Sequence, residues 1–180
     1  MGESPDGKSS RAVIPAYGCE LESFKAGYEE VSIDEGWWLG DRDADGNIVV
    51  APKRWPAIAA GDRPGDMANI VRYIHSLGLK AGIYTDAGSQ HCSLYPDLGP
   101  GYFHVGSEDH YEQDFPQFSK WGFDYVKVDW IAGDKENLSA AVHYGEIARA
   151  IARAERITAK RLDYSICNGG KQSPWTWVRA

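Results

Sequence analysis

The sequence has little of what usually marks a membrane, nucleotide or zinc protein. No apolar run approaches the ~20 residues of a membrane-spanning helix, and residues 1–11 are polar, without the apolar stretch of a signal peptide. Neither GxGxxG nor GxxxxGK occurs, which counts against a nucleotide site. The 3 cysteines, Cys19, Cys92 and Cys167, lie far apart and cannot all pair with one another. With no CxxC and no paired Cys/His spacing, a structural zinc is disfavoured, and no metal or other cofactor is expected. Basic residues are the minority, 19 against 26 acidic for a net charge of −7, which argues against nucleic acid or an anionic membrane as partner. The 180 residues suit one domain. They fall short of the roughly 250 that a complete eight-unit βα barrel needs.

What is present is ordinary globular material with a heavy aromatic load. The chain is 43% hydrophobic and 25% charged, which excludes wholesale disorder. Its 7 Trp, 10 Tyr, 20 Gly and 9 Pro suit a loop-built site for a neutral, ring-shaped ligand. Strand-like runs occur at Glu30–Asp34, Lys80–Tyr84, Tyr125–Asp129 and, less regularly, Asp163–Cys167. Between them, Met67, Ile70, Val71 and Ile74 form one apolar helix face that Gly78 ends. Phe115, Phe118 and Trp121 predict a shorter helix with Pro116 in its first turn. Tyr144, Ile147, Ala148 and Ile151 predict a third over about Asn137–Arg156. Gly40–Gly65 reads as an elaborated loop, with Asp43–Asn47 the turn of a small hairpin. This α/β alternation implies a parallel sheet with right-handed crossovers, either a doubly wound open sheet or a segment of a (β/α) barrel.

Acidic residues recur where these strands end: Asp34 and Glu35, then Asp86, then Asp129. That edge is where ligands bind in parallel α/β proteins. Lys127 is two residues before Asp129, hence on the same strand face, where its ammonium would hold that carboxylate ionised, as a nucleophile requires. Trp37, Trp38, Tyr84 and Trp130 flank the carboxylates. Aromatic faces pack on a sugar's C–H face while carboxylates accept from its hydroxyls, so the pattern points to carbohydrate. The alternatives are a turn or helix-cap role for Asp86, a structural Lys127–Asp129 ion pair, and plain packing for the tryptophans. His91 and His104, in the Gly/Pro-rich loop after the second strand, are weaker ligand candidates.

The same stretches carry a family resemblance. Gly27–Trp37, Gly78–Gly88, Trp121–Asp129 and Tyr164–Asn168 resemble, in order, diagnostic segments of the α-galactosidase family of glycoside hydrolases, family 27. The resemblance spans about Gly27 to Trp177. It implies a retaining hydrolase acting on terminal α-D-galactosides and built on a (β/α)8 TIM barrel, of which about strands two to five with their helices are present as one partial domain. By position Asp129 would be the nucleophile. Asp34, Glu35, Trp37, Tyr84, Cys92, Lys127, Cys167 and Asn168 would contact the sugar, with Lys127 also tuning Asp129. An extracellular or periplasmic location is what the resemblance favours.

Departures from the family pattern shape the remaining expectations. Glu35 stands where the family usually has Asp, and the position after the nucleophile that can bridge to a Cys92-like cysteine holds Trp130 or Ile131, leaving Cys92 a free thiol. The general acid/base would lie on the strand after Asn168, for which the 180 residues supply no candidate. A half barrel would also leave two unpaired edges and an uncovered apolar inner face. The expectation is therefore an internal fragment of a longer glycosidase with little or no hydrolysis of its own. The alternatives are a non-catalytic sugar-binding half-barrel that dimerises and, less in keeping with the ligand spacing, a metal-dependent enzyme.

Overall fold

A computed structural model of the chain describes residues 27, 29–90 and 105–178. Along them run β1 (Glu30–Ile33), β2 (Trp38–Arg42), β3 (Ile48–Val50), α1 (Met67–Ser76), β4 (Lys80–Asp86), α2 (Tyr111–Trp121), β5 (Tyr125–Asp129), α3 (Ala140–Thr158), β6 (Asp163–Cys167) and a 3-10 turn at Pro174–Thr176. β1, β4, β5 and β6 form one sheet in that order, every neighbouring pair parallel. Chain order and spatial order therefore coincide, and right-handed crossovers then put every connecting helix on the same face. Burial agrees. Val31, Ile33, Val126 and Val128 are buried, whereas Glu30 and Ser32 are exposed and Tyr125, Lys127 and Asp129 half-buried. A doubly wound sheet would reverse its strand order and bury both faces. Of the central strands only β4 is buried on both sides.

The open face corrects one expectation, because it is polar rather than apolar. In register across the sheet it carries the row Ser32, Gly82, Tyr125 and Asp163, and the next row includes Tyr84, Lys127 and Ser165. Polar residues at every second position of EVSI, YVKVD and DYSIC produce this, since alternate residues of a strand share a face. Gly82 lets the rows approach: a Cβ there would lie 2.8 Å from both Ser32 Oγ and Tyr125 Cδ1.

α1 buries the apolar face expected of it, whereas on α3 Tyr144, Ile147 and Ile151 are buried but Ala148 is exposed, its place in the core taken by Ala150 and Ala154. Met67, Ile70, Val71 and Ile74 of α1 are buried, the Asp66 carboxylate caps the first turn by accepting from the Ala68 N–H at 3.1 Å, and Gly78 follows at φ 79°. α2 begins earlier than its aromatic spacing suggests, so Pro116 sits inside the helix rather than in the first turn. It is buried there, and its missing N–H forfeits one helical bond. α3 begins at Ala140 because Asn137 adopts a left-handed φ of 56° that no helix continues. Phe115, Phe118, Phe123, Val126, Val128 and Ile147 are essentially inaccessible, each contributing about 1.5–3 kcal/mol of burial.

Two polar clamps fix the layers. The β2–β3 hairpin, whose turn is held by Asp43 Oδ1 accepting from the N–H groups of Asp45 (3.0 Å) and Asn47 (2.8 Å), is tied to α2 by Arg42. The guanidinium meets both oxygens of Asp114 at 2.9 and 2.8 Å and donates to the carbonyls of Gly46 (2.7 Å) and Gly106 (2.9 Å). At the amino end of the sheet, the Asp124 carboxylate accepts from Lys160 Nζ (2.7 Å) and the Ala81 N–H (2.9 Å) and pairs with His75 Nε2 (2.7 Å).

Candidate active site

Parallel register carries the chemistry to one edge. Tyr84 pairs with Lys127, Asp86 with Asp129, and Asp129 with Cys167, while Asp34 follows the last residue of β1. Asp129 is held from two sides: Oδ2 accepts the Tyr84 hydroxyl at 3.1 Å and Oδ1 the Trp130 N–H at 2.8 Å. From the helix face the Tyr144 hydroxyl reaches the carbonyls of Val128 and Asp129, 3.2 Å each. Tyr84 itself is buried and stacked on Trp38, and burial followed by the Asp129 charge raises its hydroxyl far above the ordinary value. It stays a neutral donor.

Lys127 chooses a different carboxylate from the one its spacing suggests. Its Nζ lies 2.8 Å from Asp34 Oδ2 and 5.1 Å from the centre of the Tyr84 ring. Burial by itself would lower this lysine, but the hydrogen bond and charge of Asp34, helped by the charges of Cys167 and Asp129, raise it. The direct Lys127–Asp129 pair is thus replaced by a cation bonded to Asp34 that acts on Asp129 only through space. The reason is the sheet, which brings the end of β1 within reach across β4. Cys167 is half-buried and free, and burial, then the Asp129 charge, pushes its thiol up.

Other sequence candidates separate. Asp34 keeps its side chain 41% exposed, whereas Glu35 is buried and near enough for its charge to act on Tyr84. The two neighbours do not present a matched pair. Trp37 belongs to the core: fully buried, it donates its indole N–H to the Tyr84 carbonyl at 2.8 Å and meets Trp38, Phe118 and Trp121 edge-on. Gly36 before it adopts a left-handed φ of 96°, and the burial of Trp37 among these rings sets it apart from the strand-end carboxylates. Asn168 is also buried, and its amide closes its own loop, donating to the Lys171 carbonyl (2.8 Å) and accepting from the Gly170 N–H (3.1 Å). Cys92, His91 and His104 lie outside the described residues. A separate concavity of about 350 Å³ opens between α2 and α3, lined by Glu108, Asp109, Glu112, Glu146, His143 and Arg149, and none of the strand-end carboxylates reaches it. Among the described residues no cluster of His, Cys, Asp and Glu is placed to hold a metal ion.

Residues 19–175 match the family model described as alpha galactosidase A. The chain belongs to that family. It is 35% identical over 154 residues to an alpha-galactosidase A of Cellvibrio japonicus, covering 86% of this chain and 32% of the relative. It is likewise 35% identical to an alpha-galactosidase of rice, Oryza sativa, with the same coverage of 86% and 32%. The crystal structure of alpha-galactosidase I from Mortierella vinacea superimposes with a TM-score of 0.67 at 27% identity, covering 87% of this chain and 36% of that one. The chain thus spans about a third of the length of the curated relatives it matches. Within this family member, sequence reading took Trp38 only as a flanking aromatic and Tyr144 only as part of an apolar helix face, and assigned nothing to Arg42. Tyr144 lies on the apolar stripe of α3, and nothing in its spacing distinguishes its hydroxyl from a core ring. The 72-residue separation of Arg42 and Asp114 leaves no local signal at all.

Proposed function

We propose that this chain contributes the nucleophile and part of the sugar-binding edge of a retaining α-galactosidase, on about strands two to five of a (β/α)8 barrel. The observation that carries the reading is Asp129 itself: a carboxylate ending a parallel strand, aimed by the Tyr84 hydroxyl and the Trp130 N–H. Lys127 and Asp34 stand beside it as a donor and acceptor pair for hydroxyl groups. In the proposed reaction the free lone pair of Asp129 attacks the anomeric carbon as the leaving oxygen takes a proton. The resulting glycosyl ester is then hydrolysed by water. Two carboxyl groups about 5–5.5 Å apart are needed for this. The family pattern puts the second on the strand after β6, outside the 180 residues, so these residues alone should show little or no turnover. No cofactor is required, because both proton transfers and the nucleophile come from carboxyl groups.

The test is covalent. A protein extended through the next strand should be labelled on the Tyr125–Asp129 peptide by a mechanism-based galactosyl inhibitor. Asp129→Asn should lose both label and turnover while still binding galactose. Strong residual turnover would mean another residue is the nucleophile. Galactose binding without any labelling of Asp129 in the extended protein would favour the non-catalytic sugar-binding half-barrel instead.

A further inference from the structure

Asp86 is the most deeply buried carboxyl group at the strand-end edge, 1% exposed, and the proposed reaction gives it no part. A carboxylate in that position costs free energy unless its oxygens are occupied. They are occupied by two different loops. Oδ1 accepts the Gly88 N–H at 2.7 Å, closing the turn after its own strand, and Oδ2 accepts the Ile131 N–H at 2.8 Å, from the turn after β5. The Ala132 N–H is directed at it as well. Asp86 and Asp129 are register partners, and the Ala87 N–H donates to the Asp129 carbonyl at 3.0 Å. The consecutive N–H groups of Trp130 and Ile131 therefore serve two carboxylates, the first gripping Asp129 and the second Asp86.

We infer that Asp86 is a positioning residue for Asp129, anchoring across the strand gap the turn whose Trp130 N–H aims that carboxylate. The inference rests on the reading of Asp129 as nucleophile for its catalytic meaning, though the anchoring itself is structural. A residue that only capped its own turn would need Gly88 and nothing from β5. The groups facing Asp86 are Tyr84 on its own strand, Asp129 on β5, Tyr111 from α2 and Tyr144 from α3, with Glu136 close to Gly88. Burial raises Asp86 to about 7, the N–H groups of Ile131 and Gly88 oppose the rise, and the Asp129 charge adds to it. The anchor therefore titrates near neutrality, where protonation turns one of its acceptor oxygens into a donor.

Amide and carboxyl carbon resonances of the 180-residue chain, followed between about pH 5 and 9, read this directly. In the wild type the Gly88 and Ile131 amides should titrate with one shared midpoint, and the Trp130 amide should follow it. In Asp86→Asn that step should vanish, and the Trp130 amide should exchange with solvent at least tenfold faster while the amides of Val31 and Ile147 keep their rates. A through-space charge effect would move the Asp129 carboxyl shift but not the Trp130 exchange rate. An unchanged Trp130 exchange rate in folded Asp86→Asn would overturn the inference. So would a wild-type titration in which Gly88 responds and Ile131 and Trp130 do not, which decides the matter if the variant fails to fold. Galactose added to the wild type tests the other reading separately: no response at Asp34, Lys127 or Asp129 would remove the sugar site and leave the coupling of the two turns standing.

Discussion

Replacing Arg42 by alanine tests whether the hairpin is clamped or merely laid against α2. Arg42 is 14% exposed and Asp114 only 2%, and the pair is bidentate at 2.8 and 2.9 Å. Truncation would strand a buried carboxylate and also free the carbonyls of Gly46 and Gly106. Breaking a buried pair from one side costs about 3–5 kcal/mol. Because Arg42 reaches the rim and Asp114 lies in the first turn of α2, where the helix dipole favours a carboxylate, the lower end, about 3 kcal/mol, applies here. For a chain of this size that is a fall in Tm of about 6–12 °C. Thermal and urea unfolding followed by circular dichroism would measure it. Arg72→Ala is the control, since its partner Asp62 is met by a side chain 64% exposed, and such a pair is worth about 1 kcal/mol at most. The double variant Arg42→Met, Asp114→Leu should recover most of the loss, because no charge is then left buried. If Arg42→Ala costs no more than Arg72→Ala, the clamp is not a clamp.

Asp124 gives a pH signature at the opposite edge. Burial would raise its carboxyl, but the Lys160 ammonium, the Ala81 N–H and His75 outweigh that and hold it below its ordinary 3.8. A lowered folded-state value means stability that is complete above 3.8 and is lost as pH falls through the lower folded value. Asp124→Asn should cost about 2 kcal/mol at neutral pH and flatten the acid limb of a stability profile, and an unaltered acid limb would refute the assignment. Lys127→Met removes the cation that lowers the Cys167 thiol, so burial and the Asp129 charge should push that thiol higher still. Peptide-resolved alkylation of Cys167 at mildly alkaline pH should then slow by about threefold. Unchanged or faster alkylation would show that Lys127 does not act on that sulfur.

The strands were legible because each carries its own local signal. Two of the four, Tyr125–Asp129 and Asp163–Cys167, have the boundaries their residue types suggest. Local sequence also showed the hairpin, through Asp43 and Gly46, and the acidic strand ends. The apolar face of α1 and the glycine that ends it were readable in the same way. Where prediction slipped, a nonlocal or backbone term won. Pro116 sits mid-helix because the loop before α2 is bonded to β4, Ser107 N–H to Asp86 carbonyl at 2.9 Å, and that starts the helix early. Trp37 left the candidate site because its ring is fully buried against Phe118 and Trp121 of α2, a contact no local pattern shows.

Sequence alone determined that an α/β chain would place carboxylates, a lysine and aromatic rings at one sheet edge, since strand periodicity and the parallel rule depend only on residue type and order. Tertiary structure alone decided which groups touch. Lys127 takes Asp34, 93 residues away, instead of the Asp129 two positions along its own strand. Residues i and i+2 share a face but lie along the strand, whereas a neighbouring strand end can present its side chain directly to the ammonium. Asp86 likewise became an anchor for a second loop only when β4 and β5 came into register. Ion-pair and hydrogen-bond energies fall steeply with distance and angle, and those are properties of the folded sheet that no spacing along the chain encodes.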